Sequence, residues 1–292
     1  MNTDKSALHT ARWYALKIKQ LNTDKKIDSM CEDLIEILSG ILQEPAPEQT
    51  KPPEPPRVSP SDSAAVLPAS GQKSLWYPKA QNPNIPMKAR GEYANKYPRG
   101  LVVHFTAGRS DKGKQSALDS VSWGASEGYA FLCMDANGLI QQPMPLNEWG
   151  YHAGQSSWTI DNKKVTSISQ YFVGLEICCA GKLEVKNDKF FSWFDAKTPI
   201  APNLVRVSKA EANIQAGFYL KYTDAQESAL IEFCLWLKIN NPEVFDFDYV
   251  VGHDEISPGR KNDPSGSLSM TMPKLRSLLK SMYASFLIEG KV

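Results

Sequence analysis

The chain has 292 residues, with 33 Lys and Arg against 32 Asp and Glu and a formal net charge of +1. That length suits one catalytic domain plus something smaller, since single domains most often run to roughly 100–150 residues and sometimes beyond 200. The near-neutral balance, with no basic block, excludes the electrostatic footprint of a nucleic-acid binder. No apolar run reaches the ~18 residues of a membrane-spanning helix, so membrane insertion is not expected either.

The first residues, Met1 to Arg12, lack the apolar stretch and small-residue cleavage site of a secretory leader, so cytoplasmic synthesis without a signal peptide is expected. Residues 6–21 and 24–43 read as two helices. In the second, Ile27, Met30, Cys31, Leu34, Ile35, Leu38, Ile41 and Leu42 recur at the helical spacing that gathers apolar groups on one face. A helical hairpin over 1–44 is expected, and its stripe needs a docking partner: the main domain, a second copy, or a foreign protein. From Pro45 to about Ser74 the composition turns to Pro, Glu, Ser and Ala, including Pro52-Pro53-Glu54-Pro55-Pro56, which suits a semi-rigid extended spacer.

Residues 75–292 alternate strand and helix signals. Strands are predicted at 101–106, 129–134, 138–142, 172–179 and 247–252, and helices at 113–126, 223–240 and 272–288. Strands 101–106 and 172–179 are apolar on both faces, as a sheet covered on both sides requires. The expected fold is therefore α/β, a mixed central sheet flanked by helices. Residues 181–222 are rich in aromatics without clear periodicity and read as a surface insertion. The five cysteines show no C-x-x-C spacing, and Cys133, Cys178 and Cys234 lie in apolar runs as core residues do.

Chemistry concentrates in two places. The strand Leu101–Thr106 carries His104 near its end. The strand ending at Val251 runs into a Gly- and Pro-bent loop holding His253, Lys261 and Asp263. Two imidazoles and a carboxylate brought together from strand ends suit an open zinc site, because catalytic zinc takes three protein ligands and leaves a fourth position to water. Asp254 and Glu255 compete with Asp263 for the carboxylate place. The period of two along 172–179 puts Gly174, Glu176 and Cys178 on one face, so Glu176 is a carboxylate inside an apolar strand. Such a group needs a counter-charge or a chemical task, since unpaired burial costs several kcal/mol or forces protonation.

Four runs, Val103-His104-Phe105-Thr106-Ala107-Gly108, Trp149-Gly150-Tyr151-His152-Ala153-Gly154, Val173-Gly174-Leu175-Glu176-Ile177 and Gly252 through Pro264, together resemble the zinc-dependent N-acetylmuramoyl-L-alanine amidases of the type 2, peptidoglycan-recognition fold. The resemblance spans roughly 75–290. It implies zinc held by His104, His253 and Asp263, a proton-transferring Glu176, and Lys261 as the positive charge beside the oxyanion. The implied substrate is the amide joining N-acetylmuramic acid to L-alanine in bacterial peptidoglycan.

His152, Thr106, Trp149 and Tyr151 are candidate substrate contacts, with a structural clamp at the cleft wall as the competing role for the His152 loop. Two other readings stand beside lytic amidase: a peptidoglycan-binding module without catalysis, and a cytoplasmic enzyme recycling soluble muropeptides. Without a leader, a wall target would be reached as a phage lysin or as a secreted antibacterial effector. Residues 1–44 would then contact a targeting or secretion component.

Overall fold

The computed structural model describes residues 74–289; the predicted hairpin and most of the proline-rich spacer fall outside them. The centre is a five-stranded sheet built from β1 (Gly100–Phe105), β2 (Leu132–Met134), β3 (Ile140–Gln141), β4 (Phe172–Ile177) and β5 (Val250–Gly252). Its spatial order is β5-β1-β4-β2-β3. The first four in that order run parallel and β3 is antiparallel at the edge. Among the described residues four helices accompany it: α1 (Lys114–Ser126), α2 (Asp224–Asn240), the single turn α3 (His253–Ile256) and α4 (Met272–Glu289). This is the mixed α/β architecture expected from the alternation of signals.

Leu101, Val102 and Val103 are wholly buried, so both faces of the sheet are covered. Pairing puts His104 beside Glu176 and Glu176 beside Cys133, which places all three on one face. On that face α1 packs Ala117 and Val121 against Phe131, Cys133 and Cys178. Toward the β5 edge, Val102, Ala153, Ile160, Ile168, Phe172, Val251 and Ile256 form a second cluster. Glu176 therefore sits between two apolar blocks, at a gap in the packing.

Helix boundaries follow local chemistry. Thr223 caps α2, its hydroxyl accepting from Gln226 N at 3.1 Å while Gln226 Oε1 accepts from Thr223 N at 3.0 Å. Glu255 accepts from Gly252 N at 3.0 Å and takes both guanidinium nitrogens of Arg276, at 2.8 and 3.0 Å. That largely buried pair ties α4 to the turn bearing His253.

Three departures from expectation have physical reasons. Strand β2 is three residues long because Ala130 N donates to Tyr151 O at 2.9 Å, so the chain before Leu132 pairs with a loop instead of the sheet. Residues 247–249 form a 3-10 turn ahead of β5. The 181–222 segment folds into antiparallel strands: Glu184–Lys186, Lys189–Ser192 and Asp195–Ile200 in one sheet, Val205–Ser208 with Gly217–Leu220 in another. Ala180, Leu183 and Val205 anchor it, with Phe190, Ile200, Phe218 and Leu220 packed around them.

Candidate metal centre

His104 projects from β1, His253 opens α3 directly after β5, and Asp263 returns to the same place because Asp254 N donates to Asp263 O at 2.8 Å and closes the intervening loop. The three donor atoms meet: His104 Nδ1 lies 2.8 Å from His253 Nδ1, and each lies 2.9 Å from Asp263 Oδ2. All three residues are buried. The competing carboxylates point elsewhere. Asp254 accepts from Asn213 Nδ2 and Ser265 N, and Glu255 holds Arg276.

The far nitrogens settle which atoms carry hydrogen. His253 Nε2 is 3.0 Å from Ala153 O, a carbonyl that can only accept, so Nε2 carries a hydrogen and the neutral ring offers Nδ1 as its lone pair. His152 Nε2 lies 2.9 Å from Phe172 O, which fixes the proton of that ring in the same way and leaves His152 Nδ1 as an acceptor. His104 Nε2, at 3.1 Å from His152 Nδ1, must then donate to it, leaving His104 Nδ1 bare as well. A second proton on His104 is not available at neutral pH, because burial, with His253 alongside, pushes its pKa down to about 4. With both rings neutral, two imidazole lone pairs and a carboxylate converge with no hydrogen among them. Such a trio repels itself unless a cation sits between, and two nitrogens with one oxygen, oriented by hydrogen bonds on their far sides, match the donor set of a zinc ion. The residues fit the metal.

Glu176 comes next. Its Oε1 stands 3.9 Å from His104 Nδ1, and its Oε2 is buried with no hydrogen-bond partner among the described residues. Burial first, and the charge of Asp263 second, push its pKa well above the ordinary carboxylate value, while Lys261 pulls the other way. The Lys261 ammonium makes no hydrogen bond or ion pair among the described residues, and its side chain lines the same cleft. A free carboxylate and a free ammonium therefore flank the converging donors.

The cleft is about 320 Å³, walled by His104, Phe105, Thr106, His152 and Glu176 on one side of the motif loop and by Trp123, Tyr129 and Phe131 near α1. Thr106 lines it, but its hydroxyl accepts from Gly108 N and Cys179 N at 3.2 and 3.3 Å and so holds the loop after β1. Both nitrogens of His152 are engaged within the protein, which leaves only its ring surface to a ligand. Tyr151 faces an adjoining recess outside the donor-lined cleft. Trp149 lies in the short pair Glu148–Trp149 with Gly91–Glu92, its indole close over Gly91, and is not among the residues lining the cleft.

Two contributors escape a reading of the sequence. Arg260, there only a charge beside Lys261, donates to Ala153 O, Gln155 O and Ser257 Oγ at 2.8–2.9 Å, locking the loop that buttresses His253. Ser169 accepts from His152 N and Ala153 N at 3.2 and 3.1 Å. Neither has a sequence signal beyond its nearness to a motif, since the partners are backbone atoms of a distant loop.

Residues 94–266, more than half of the chain, match the profile of the family described as N-acetylmuramoyl-L-alanine amidase. No curated protein matches. Similar solved structures include a selenomethionine derivative of AmpD (19% identity, 70% of this chain and 97% of that one, TM-score 0.41). The amidase AmiD from E. coli, bound to anhydro-N-acetylmuramic acid-L-Ala-D-gamma-Glu-L-Lys, shares 22% identity over 60% of this chain and 56% of its own (TM-score 0.38). The endolysin amidase LysCS from Clostridium intestinale URNW shares 14% over 70% and 98% (TM-score 0.42).

Proposed function

The chain belongs to the type 2 N-acetylmuramoyl-L-alanine amidase family and is an amidase of peptidoglycan, and from that premise we propose that it works with zinc held by His104, His253 and Asp263 and acts lytically on the wall. The observation that carries the metal is the meeting of two imidazole nitrogens and a carboxylate oxygen at 2.8–2.9 Å. When bound there, zinc supplies a Lewis acid for the scissile carbonyl and makes water a better proton donor at neutral pH.

The remaining chemistry belongs to side chains. Glu176 takes the proton of the attacking water through its unpartnered oxygen and later delivers it to the departing amine of L-alanine, so the C–N bond breaks without expelling an amide anion. Burial raises its affinity for the water's proton, and a cation at the neighbouring donors would moderate that rise. Lys261 offers its free ammonium to the oxyanion of the tetrahedral intermediate. The surface of His152 and the Thr106 wall, with Tyr151 further out, shape the approach of the substrate.

The test is direct. Purified protein holds about one zinc per chain and releases stem peptides from sacculi, and a chelator abolishes release until zinc is restored. Sacculus binding without release would instead support a recognition module. Release from soluble anhydro-muropeptides alone would support a recycling enzyme. Among the described residues no helix is long and apolar enough to cross a membrane. We place the substrate on the wall side of the membrane, reached as a lysin or a secreted effector, with residues 1–44 contacting the targeting component. Deletion of 1–74 then leaves cleavage of soluble substrate intact and abolishes delivery.

A further inference from the structure

The catalytic cleft does not end at the donors. Ala107, which lines it, follows the C-terminal end of β1, and Tyr129, which lines it too, lies in the segment before β2 that is held to the Tyr151 loop, so the cleft reaches past Glu176 to that loop. At the Tyr129 end it opens into a second recess of about 490 Å³ that shares Tyr129 and Gly154. The other walls of that recess are Tyr151, Gln155, Ser156, Thr166 and Ser167.

Its chemistry is distinctive. Two tyrosines stand exposed at 39% and 46%, and Trp123, 58% exposed, leans on Tyr129 with ring centroids 5.7 Å apart. Around the rings are hydroxyls and a carboxamide. No ionised side chain lines the recess. Arg90 covers one face of Tyr151 at 4.9 Å, and Arg260 is hydrogen-bonded to the loop carbonyls. Aromatic faces offer apolar platforms to the C–H faces of a pyranose ring, and neutral donors and acceptors suit its hydroxyls. A stem peptide carries carboxylates, and no cation is among the residues that line this recess.

On the reading that the cleft cleaves the muramoyl amide, we infer that the recess bounded by Tyr129, Tyr151, Gln155 and Thr166 is a subsite for neighbouring sugars of the glycan strand. The enzyme is thereby directed to polymeric peptidoglycan in preference to single muropeptides. The substrate passes through the cleft lengthwise, with the muramic acid at Glu176 and the next saccharides on the tyrosine ledge.

The experiment uses the full zinc-loaded chain and separates binding from turnover. In a Glu176→Gln background, affinity for peptide-free glycan strands falls by about tenfold on Tyr151→Ala, the loss of one well-placed aromatic contact. In the active background, Tyr151→Ala lowers sacculus hydrolysis by about tenfold more than it lowers hydrolysis of soluble N-acetylmuramoyl tripeptide. Gln155→Ala, at an exposed position whose side chain makes no hydrogen bond among the described residues, moves the same ratio in the same direction and serves if the tyrosine variant misfolds. Equal losses on both substrates, or unchanged glycan binding, overturn the subsite. Because glycan binding needs no turnover, a wild-type chain that binds glycan strands through these residues yet cleaves neither substrate sinks the hydrolase reading and leaves the subsite standing.

Discussion

Replacing His152 by Phe tests the relay that prepares His104 for a metal. The ring volume is kept, but His104 Nε2–H loses the acceptor it now has at 3.1 Å, and Phe172 O loses its donor at 2.9 Å. A stranded buried N–H costs about 1–3 kcal/mol. His104 can recover part of that by moving its proton to Nδ1, the nitrogen that faces His253 and Asp263, where it blocks the metal. Losing an outer partner of a metal-binding histidine typically costs about 10–100-fold in affinity, or about 1.4–2.8 kcal/mol. Zinc dissociation constants from competition with a chelator measure this, and nitrogen-15 spectra of the metal-free protein report the His104 tautomer. His152→Phe should weaken zinc within that range and shift the tautomer, whereas His152→Gln, whose carboxamide can accept from His104 and donate to Phe172, should restore part of both. A folded phenylalanine variant binding zinc within about twofold of the parent would refute the relay.

Other expectations follow from the same geometry. Gly174→Ala would place a Cβ 2.6 Å from His152 Cγ, so the ring must shift and zinc affinity should drop by about tenfold although no polar group is removed; chelator competition again decides. Glu176→Gln should keep its zinc and lose most turnover, whereas His253→Ala should lose both; metal analysis beside peptide-release assays separates them. Lys261→Met should retain zinc and lower kcat by about 10²–10³, the usual effect of deleting one oxyanion donor, read from initial rates on soluble substrate. Asp254 has its pKa raised from 3.8 to about 7, chiefly by burial. Its protonated form is favoured in the folded state, so its contribution to stability is full below the unfolded value and is lost as pH rises through about 7. Relative to Asp254→Asn, the metal-free wild type should lose about 2–4 kcal/mol between pH 4 and pH 8 in urea unfolding, and a pH-independent difference would contradict the assignment.

How far the sequence reaches depends on how local each constraint is. His253 and Asp263 lie ten residues apart on one bent loop, so their meeting is a short-range matter. Strand periodicity places His104 and Glu176 each on a face of its strand, and only the pairing of β1 with β4 makes it the same face. The role of His152 is not legible from residues alone. It depends on a carbonyl at Phe172 and on the missing side chain of Gly174, neither of which carries a chemical label, and the histidine reads equally as a substrate contact or a clamp. The 181–222 segment reads as an aperiodic insertion because its strands are three to six residues long and two of them, Glu184–Lys186 and Asp195–Ile200, mostly expose their side chains, which erases the alternation that marks a half-buried strand.

The same division explains why motif matching reaches the reaction sooner than the substrate. The donors and Glu176 stand on or beside sheet strands whose register cannot slip by one residue without turning Glu176 into the opposite core, so the chemistry is written in short, dense runs. The Tyr129–Thr166 ledge is assembled from the approach to β2, the loop around His152 and a surface hairpin. Its residue types are ordinary, and its shape depends on backbone contacts such as Ala130 N to Tyr151 O. Because loops tolerate exchange where the sheet does not, substrate length can be set there while the cleavage apparatus stays fixed. Grafting the 151–167 loop onto an amidase confined to soluble fragments should then confer sacculus activity without altering the donors. A graft that folds and still rejects sacculi would mean that the preference for polymer is held elsewhere.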